Sequence, residues 1–133
     1  MEPLRLISFG YLHLPTDAEG NPIPPHADRI EDVRDRLRDP ATARDIPDLD
    51  GFHLKVQDVV INTRGARELI DNLAAYAMLP AGPDTIAIGC AGGKHRACAL
   101  TEILGSKVRG LGRDVAIEHQ HAHLPRVLKT ATS

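Results

Sequence analysis

The stretch Thr85 to Leu100, TIAIGCAGGKHRACAL, constrains the fold of this chain more than any other. Thr85-Ile86-Ala87-Ile88 is a short apolar, β-branched run of the kind that forms a strand buried on both faces. Glycines 89, 92 and 93 then interrupt it, with Cys90 and Ala91 between them. Helical spacing follows at once, with Ala97, Leu100, Leu104, Val108 and Leu111 on one stripe. A strand that turns through glycines into a helix leaves several backbone N–H groups at the helix start without partners. Those donors and the positive end of the helix dipole make an anion site. Lys94, His95 and Arg96 stand where the turn enters the helix, so cationic side chains can close on the same anion.

Three chemistries compete for that loop. A nucleotide P-loop, GxxxxGK[ST], needs glycine where Ile88 stands and a hydroxyl residue where His95 stands, so it fails. A cysteine-phosphatase loop fits in part: Cys90 and Arg96 are spaced C-x5-R, placing a thiol at the base of the loop and a guanidinium beside bound oxygens. A helix N-terminus and nearby cations would make such a thiol nucleophilic. Against it, Ala97 follows the arginine where such enzymes have Ser or Thr, and Gly89 precedes the cysteine in place of His. The acid that catalysis needs would come from another loop, where Asp39 and Asp58 are the nearest candidates. In the third reading the glycines serve only a tight turn and Cys90 is a small buried residue.

With 133 residues, the chain is expected to form one domain, 1–133, able to bury a core without staples. A hydrophobic share of 42% and a charged share of 26% argue against global disorder. No apolar run approaches the ~20 residues that span a bilayer, and MEPLRLISFG lacks the basic and long apolar regions of a secretion signal. Cys90 and Cys98 do not look like a disulfide framework, so a cytoplasmic protein is expected. Residues 1–88 carry nine Lys/Arg against fifteen Asp/Glu, and residues 89–133 seven against three. The basic third contains the anion loop, which is consistent with a phosphorylated partner, though equally with a solvated basic helix face.

Leu4 to Gly10 reads as an opening strand ended by glycine, and the four prolines between Leu14 and Ala27 require an irregular loop. Ile30 to Val33 fits either helix or strand by periodicity. Pro40 and the Asp45–Gly51 run mark a second loop, and Phe52 to Ile61 leans to a helix through Phe52, Val56 and Val59. From Thr63, a candidate cap, Ala66, Leu69, Ile70, Leu73, Ala74, Ala77 and Met78 form a broad helical stripe stopped by Pro80. The helix after the glycines should end near Gly110 or Gly112, with Lys107 and Arg109 suiting its dipole, and Asp114 to His119 is a last strand. The alternation predicts an α/β fold, a small mainly parallel sheet of about four strands with flanking helices. Ligands of such sheets sit beyond the strands' carboxyl ends, where the glycine loop lies.

His119, His121 and His123 alternate, so an extended backbone would line three imidazoles on one face, as a metal such as zinc would need. No carboxylate or thiol completes an obvious ligand set, and an anion-site role for His119 or His121 is the better reading. No metal or cofactor is called for. Among the arginines from Arg34 to Arg38, Arg34 is singled out, because a strand over Ile30–Val33 would deliver it to the pocket.

The segments LISFGY, DVR, GCAGGKHR and VAIEHQH occur in this order, and together they resemble the C-terminal domain of RapZ, the bacterial RNase adapter. The resemblance runs from about Leu4 to Lys129. It implies a domain that binds regulatory RNA, senses an amino-sugar phosphate (glucosamine 6-phosphate) and self-associates. The complete family protein also has an N-terminal Walker-type nucleotide-binding domain, so this chain is expected to be a stand-alone form of the C-terminal part. By the resemblance the anion pocket falls on Cys90, Gly92, Gly93, Lys94, His95 and Arg96, with His119 matching the histidine after the last strand. It also favours a strand at Ile30–Val33. Ala97 departs from the family's serine, and the Lys/Arg-dense tail is reduced to Arg126 and Lys129. Lys107, Arg109 and Arg113 are the remaining candidates for RNA contact. The resulting expectation is a non-catalytic sensor of a phosphorylated small molecule that acts as an adapter, with RNA as a second partner and a homo-oligomeric state. The alternatives are a cysteine-dependent phosphatase using Cys90 and Arg96, and an RNA-binding adapter without a small ligand.

Overall fold

The computed structural model describes residues 1–35 and 49–124. Arg36, Arg38, Asp39, Pro40, the first part of the Asp45–Gly51 run, Arg126 and Lys129 lie outside the described residues. Four strands, β1 (Leu4–Gly10), β2 (Arg29–Asp32), β3 (Thr85–Cys90) and β4 (Val115–His119), form one sheet in the order β2-β3-β1-β4. Every neighbouring pair is parallel. Among the described residues three helices accompany it: α1 (Leu54–Ile61), α2 (Ala66–Ala77) and α3 (Arg96–Gly110).

The two-residue period of the strands sorts the core. Leu4, Leu6, Ile86, Ile88 and Cys90 pack into one cluster with residues of all three helices. Ile7, Phe9 and Ala87 point the other way and are covered by Tyr11, Leu14 and Ala27. The helices therefore lie on one face, and the proline-rich segment after a short 3-10 turn (Tyr11–His13) covers the other. The central strands β1 and β3 are buried on both sides, as their continuous apolar runs require. At the edges, β2 and β4 alternate between more and less exposed positions.

α3 lies against β1, β3 and β4, burying Ala97, Leu100, Leu104 and Val108. It ends at Gly110, and it is Gly112, with φ +103°, that turns the chain away. α1 begins at Leu54, capped by His53, whose Nδ1 accepts from the Lys55 N–H. Phe52 thus precedes the helix, and the buried positions are Val56 and Val60 where the sequence stripe ran through Val59. Thr63 does not cap α2: its hydroxyl donates to the Val59 carbonyl at 2.9 Å, closing α1, and α2 starts behind Gly65. The side-chain bond within reach wins over the cap because the chain turns between the two helices. The strand expected at Ile30–Val33 is shifted by one residue, and Val33 still donates to the Gly89 carbonyl. Among the described residues no helix is long and apolar enough to cross a membrane.

The strand order fixes where a ligand can sit. From β1 the chain crosses toward one edge to reach β2, and from β3 it crosses toward the other edge through α3 to reach β4. Both connections leave from the carboxyl ends of the adjacent strands β1 and β3, where Gly10 pairs with Cys90, and they pass each other on opposite faces of the sheet, the first on the side of Tyr11 and Leu14 and the second on the helix side.

Candidate functional site

The glycine loop, residues 91–95, connects the last residue of β3 to the first of α3 at that end of the sheet. It touches the end of β1 backbone to backbone. A Cβ placed on Gly10 would overlap the carbonyl group of Gly92 and fall 2.7 Å from the Gly93 nitrogen. Gly93 has φ +77°, and a Cβ there would fall 2.7 Å from the Gly10 nitrogen. Gly92, by contrast, faces open space, with nothing within 4 Å of an added Cβ. Bonds among the described residues that hold the loop include Gly93 N–H to the Cys90 sulfur at 3.1 Å, Leu12 N–H to the Ala91 carbonyl at 3.0 Å, and Gly51 N–H to the Lys94 carbonyl at 2.8 Å.

α3 starts inside the protein. Its N-cap residue, His95, makes no side-chain capping bond, and residues 95 to 98 are all buried. The N–H groups of a first helical turn have no carbonyl four residues back, and with the positive end of the helix dipole they favour an anionic acceptor. Arg96 is 5% exposed, and its Nη1 donates to the carbonyls of Val33 at 3.0 Å and Arg34 at 2.7 Å. It ties the chain after β2 to the loop. Arg34 lies on the same rim, its guanidinium 3.6 Å above the Tyr11 ring and its Nη2 2.7 Å from the Asp32 carboxylate. The hydrogen bond to Asp32 pushes the Arg34 pKa up, while burial, then Asp32, raises that of the Tyr11 phenol. Cys90, Gly92, Gly93, Lys94, His95, Arg96 and Arg34 are thus brought to one end of the sheet.

β4 ends at His119, and residues 120–124 turn, so the three alternating histidines do not line one face. His119 faces α3. Its Nδ1 meets the buried Ser8 hydroxyl and its Nε2 the Glu102 carboxylate at 3.0 Å, with the Phe52 ring edge-on at 4.7 Å. Both ring nitrogens are engaged within the protein. His121 turns to the other side, where its Nδ1 accepts from the Gly10 N–H at 2.8 Å and its ring lies 5.2 Å from that of His13. His123 is exposed. Among the described residues no group of three or more His, Cys, Asp or Glu is placed to hold a metal.

Burial, then His13 and His123, depress the His121 pKa. Its unfolded-state value is about 6.5, so below that pH the unfolded chain binds the proton more readily. The stability His121 contributes is present above about pH 6.5 and is lost as pH falls through its lower folded value. We expect the urea midpoint to fall on acidification from pH 7.5 to 5.5 by more in the wild type than in His121→Asn. Equal losses would show that this imidazole is not the titrating group.

The three RNA candidates stand elsewhere. Lys107, Arg109 and Arg113 are at the far end of α3 and beyond it. Lys107 pairs with Asp71 and Arg109 donates to the Val115 carbonyl. Arg113 is 4% exposed and donates to the carbonyls of Glu2 and Ala77, so it is an internal tie between chain segments. Cys98, under Gly51, has its thiol pushed up to about 12, chiefly by burial, which makes it inert. Sequence reasoning missed Ser8, Gly10, Glu102 and His13 as neighbours of the site. Only Gly10, at the end of the first strand, carried a signal.

Residues 3–123, which include the loop and both site histidines, match the family model described as the RapZ C-terminal domain. The chain belongs to the RapZ C-terminal domain family. Curated relatives are called nucleotide-binding proteins. One from Thermobifida fusca is 35% identical over 125 residues, covering 87% of this chain and 39% of the relative. One from Bifidobacterium longum is 32% identical over 128 residues, covering 90% and 36%. One from Streptomyces coelicolor is 30% identical over 124 residues, covering 86% and 38%. The chain therefore spans well under half the length of these relatives, and the family match places it in their RapZ C-terminal part.

Proposed function

We propose that this RapZ C-terminal domain is a cytoplasmic, non-catalytic sensor that binds a phosphorylated small molecule of the amino-sugar-phosphate class at Gly89–Arg96 and signals its presence to a partner. The observation that carries the reading is the glycine loop at the start of α3, pressed against Gly10 on one side and with open space over Gly92 on the other. Phosphate oxygens are acceptors only, which is what helix-start N–H groups require. Lys94 in the loop and Arg34 on the rim supply positive charge for the same anion. The nucleotide binding named for the relatives belongs to much longer proteins, and a nucleotide phosphate is a competing ligand for the same chemistry.

Binding to the folded state alone raises stability by about 2.7 kcal/mol at a ligand concentration 100 times Kd. Glucosamine 6-phosphate should therefore raise the melting temperature by several degrees, with glucosamine inert and ATP weaker. Melting curves unmoved by millimolar glucosamine 6-phosphate, inorganic phosphate and ATP alike would refute the anion site. Turnover of p-nitrophenyl phosphate should be negligible. Asp58, the described candidate acid, sits on the exposed side of α1 and contacts Asn62. For RNA, the buried Arg113 leaves Lys107 and Arg109 as the surface cations at that end. Any binding there should weaken steeply with salt.

A further inference from the structure

The tautomer of His121 follows from its one hydrogen bond. A backbone amide only donates, so the Nδ1 that receives the Gly10 N–H at 2.8 Å must carry a lone pair. A neutral ring then keeps its proton on Nε2, and Nε2 has no hydrogen-bond partner among the described residues. The ring is half-buried at the divide between β1 and the glycine loop, and its Cβ would lie 3.1 Å from a Cβ on Gly93. His119, two residues earlier, has both nitrogens engaged by Ser8 and Glu102 and cannot donate elsewhere without losing one of them. That pairing fixes the end of β4, from which the turn carrying His121 departs.

We propose that His121 is a ligand-contacting residue of the loop site, donating from Nε2–H to an oxygen of a bound phosphate monoester, while His119 only positions the segment that carries it. The inference rests on the anion-site reading above and names its contact from β4's side. The Gly10 amide acts through the imidazole: by occupying Nδ1 it keeps the donor on Nε2. His13 from the 3-10 turn and His123 are the titratable neighbours acting on this ring, and with its burial they favour the neutral form.

The test is calorimetric titration of glucosamine 6-phosphate into wild type, His121→Phe and His121→Asn at pH 7.5, with side-chain ¹⁵N spectra of the wild type. Phenylalanine keeps the ring volume and removes both nitrogens, and affinity should fall about tenfold, the scale of one hydrogen bond to a charged group. Asparagine can accept from Gly10 and donate to the anion, so it should recover part of that loss. The spectra should show His121 unprotonated at Nδ1 and its Nε2 resonance moving on titration, while that of His119 stays. If the wild type binds and His121→Phe binds equally, or the His121 resonances do not move, the inference is overturned and the loop site stands. If the wild type does not bind, the loop reading itself fails and the inference with it. The spectra decide the matter even if His121→Phe does not fold.

Discussion

Gly10→Ala should cost about 3 kcal/mol, the upper range for forcing an extra methyl into packed structure, or roughly 10 °C in melting temperature for a chain of this size. The added Cβ would meet main-chain atoms of Gly92 and Gly93, which cannot rotate away as a side-chain tip can. The loop cannot easily retreat either, because bonds to Cys90, Leu12 and Gly51 hold it. A shift of the β1 end would in turn break its pairing with Cys90 and the bond to His121. Three other glycines calibrate the effect. Gly110→Ala, in the last turn of α3 with nothing near, should be neutral or slightly stabilising. Gly20→Ala, at φ +83° in open space, should cost only the backbone strain of about 1 kcal/mol. Gly92→Ala is the informative one: nothing lies within 4 Å, so the fold should stand, yet the methyl enters the space assigned to the ligand. It should keep its melting temperature and lose the response to glucosamine 6-phosphate. A full response in Gly92→Ala would remove that space from the site, and an unchanged melting temperature in Gly10→Ala would refute the tight contact.

What the sequence made legible was whatever lies within one strand-turn-helix unit. The Thr85–Leu100 pattern fixed β3, the loop and α3, because an apolar run, three glycines and a 3.6-residue stripe follow one another without a gap. The site's other half comes from Gly10 and Ser8, about eighty residues before the loop, and from His121, about thirty after it, and only the parallel pairing of β1 with β3 and β4 brings them in. No local pattern reports that register. The cations show the same limit. Charge counting could not tell Arg113, folded inward onto two carbonyls, from Lys107 on the surface, because either looks like a basic residue near the end of a helix. The histidine run meets a related limit: period-2 spacing faces one way only while the strand lasts, and β4 stops at His119.

Arg96→Ala should be destabilising by about 3 kcal/mol even with no ligand present, through charge-assisted hydrogen bonds worth about 1.5–3 kcal/mol each. Nη1 is shared between the carbonyls of Val33 and Arg34, and the residue is 5% exposed. Alanine would leave the buried Val33 carbonyl without this donor and a cavity where the guanidinium was. The C-x5-R spacing invites the view that Arg96 exists for the anion, yet the structure gives it a load that a ligand-free protein also bears. Loss of phosphosugar response in Arg96→Ala would therefore not separate a lost contact from a displaced loop. Arg96→Lys does, because an ammonium can reach one carbonyl but cannot reproduce the planar fork that the proposed site would use for carbonyls and anion together. It should recover more than half of the lost stability while the affinity for glucosamine 6-phosphate stays low. Should Arg96→Ala melt within 2 °C of the wild type, a change worth under about 1 kcal/mol, the tie to Val33 and Arg34 carries no stability and the arginine belongs to the ligand alone.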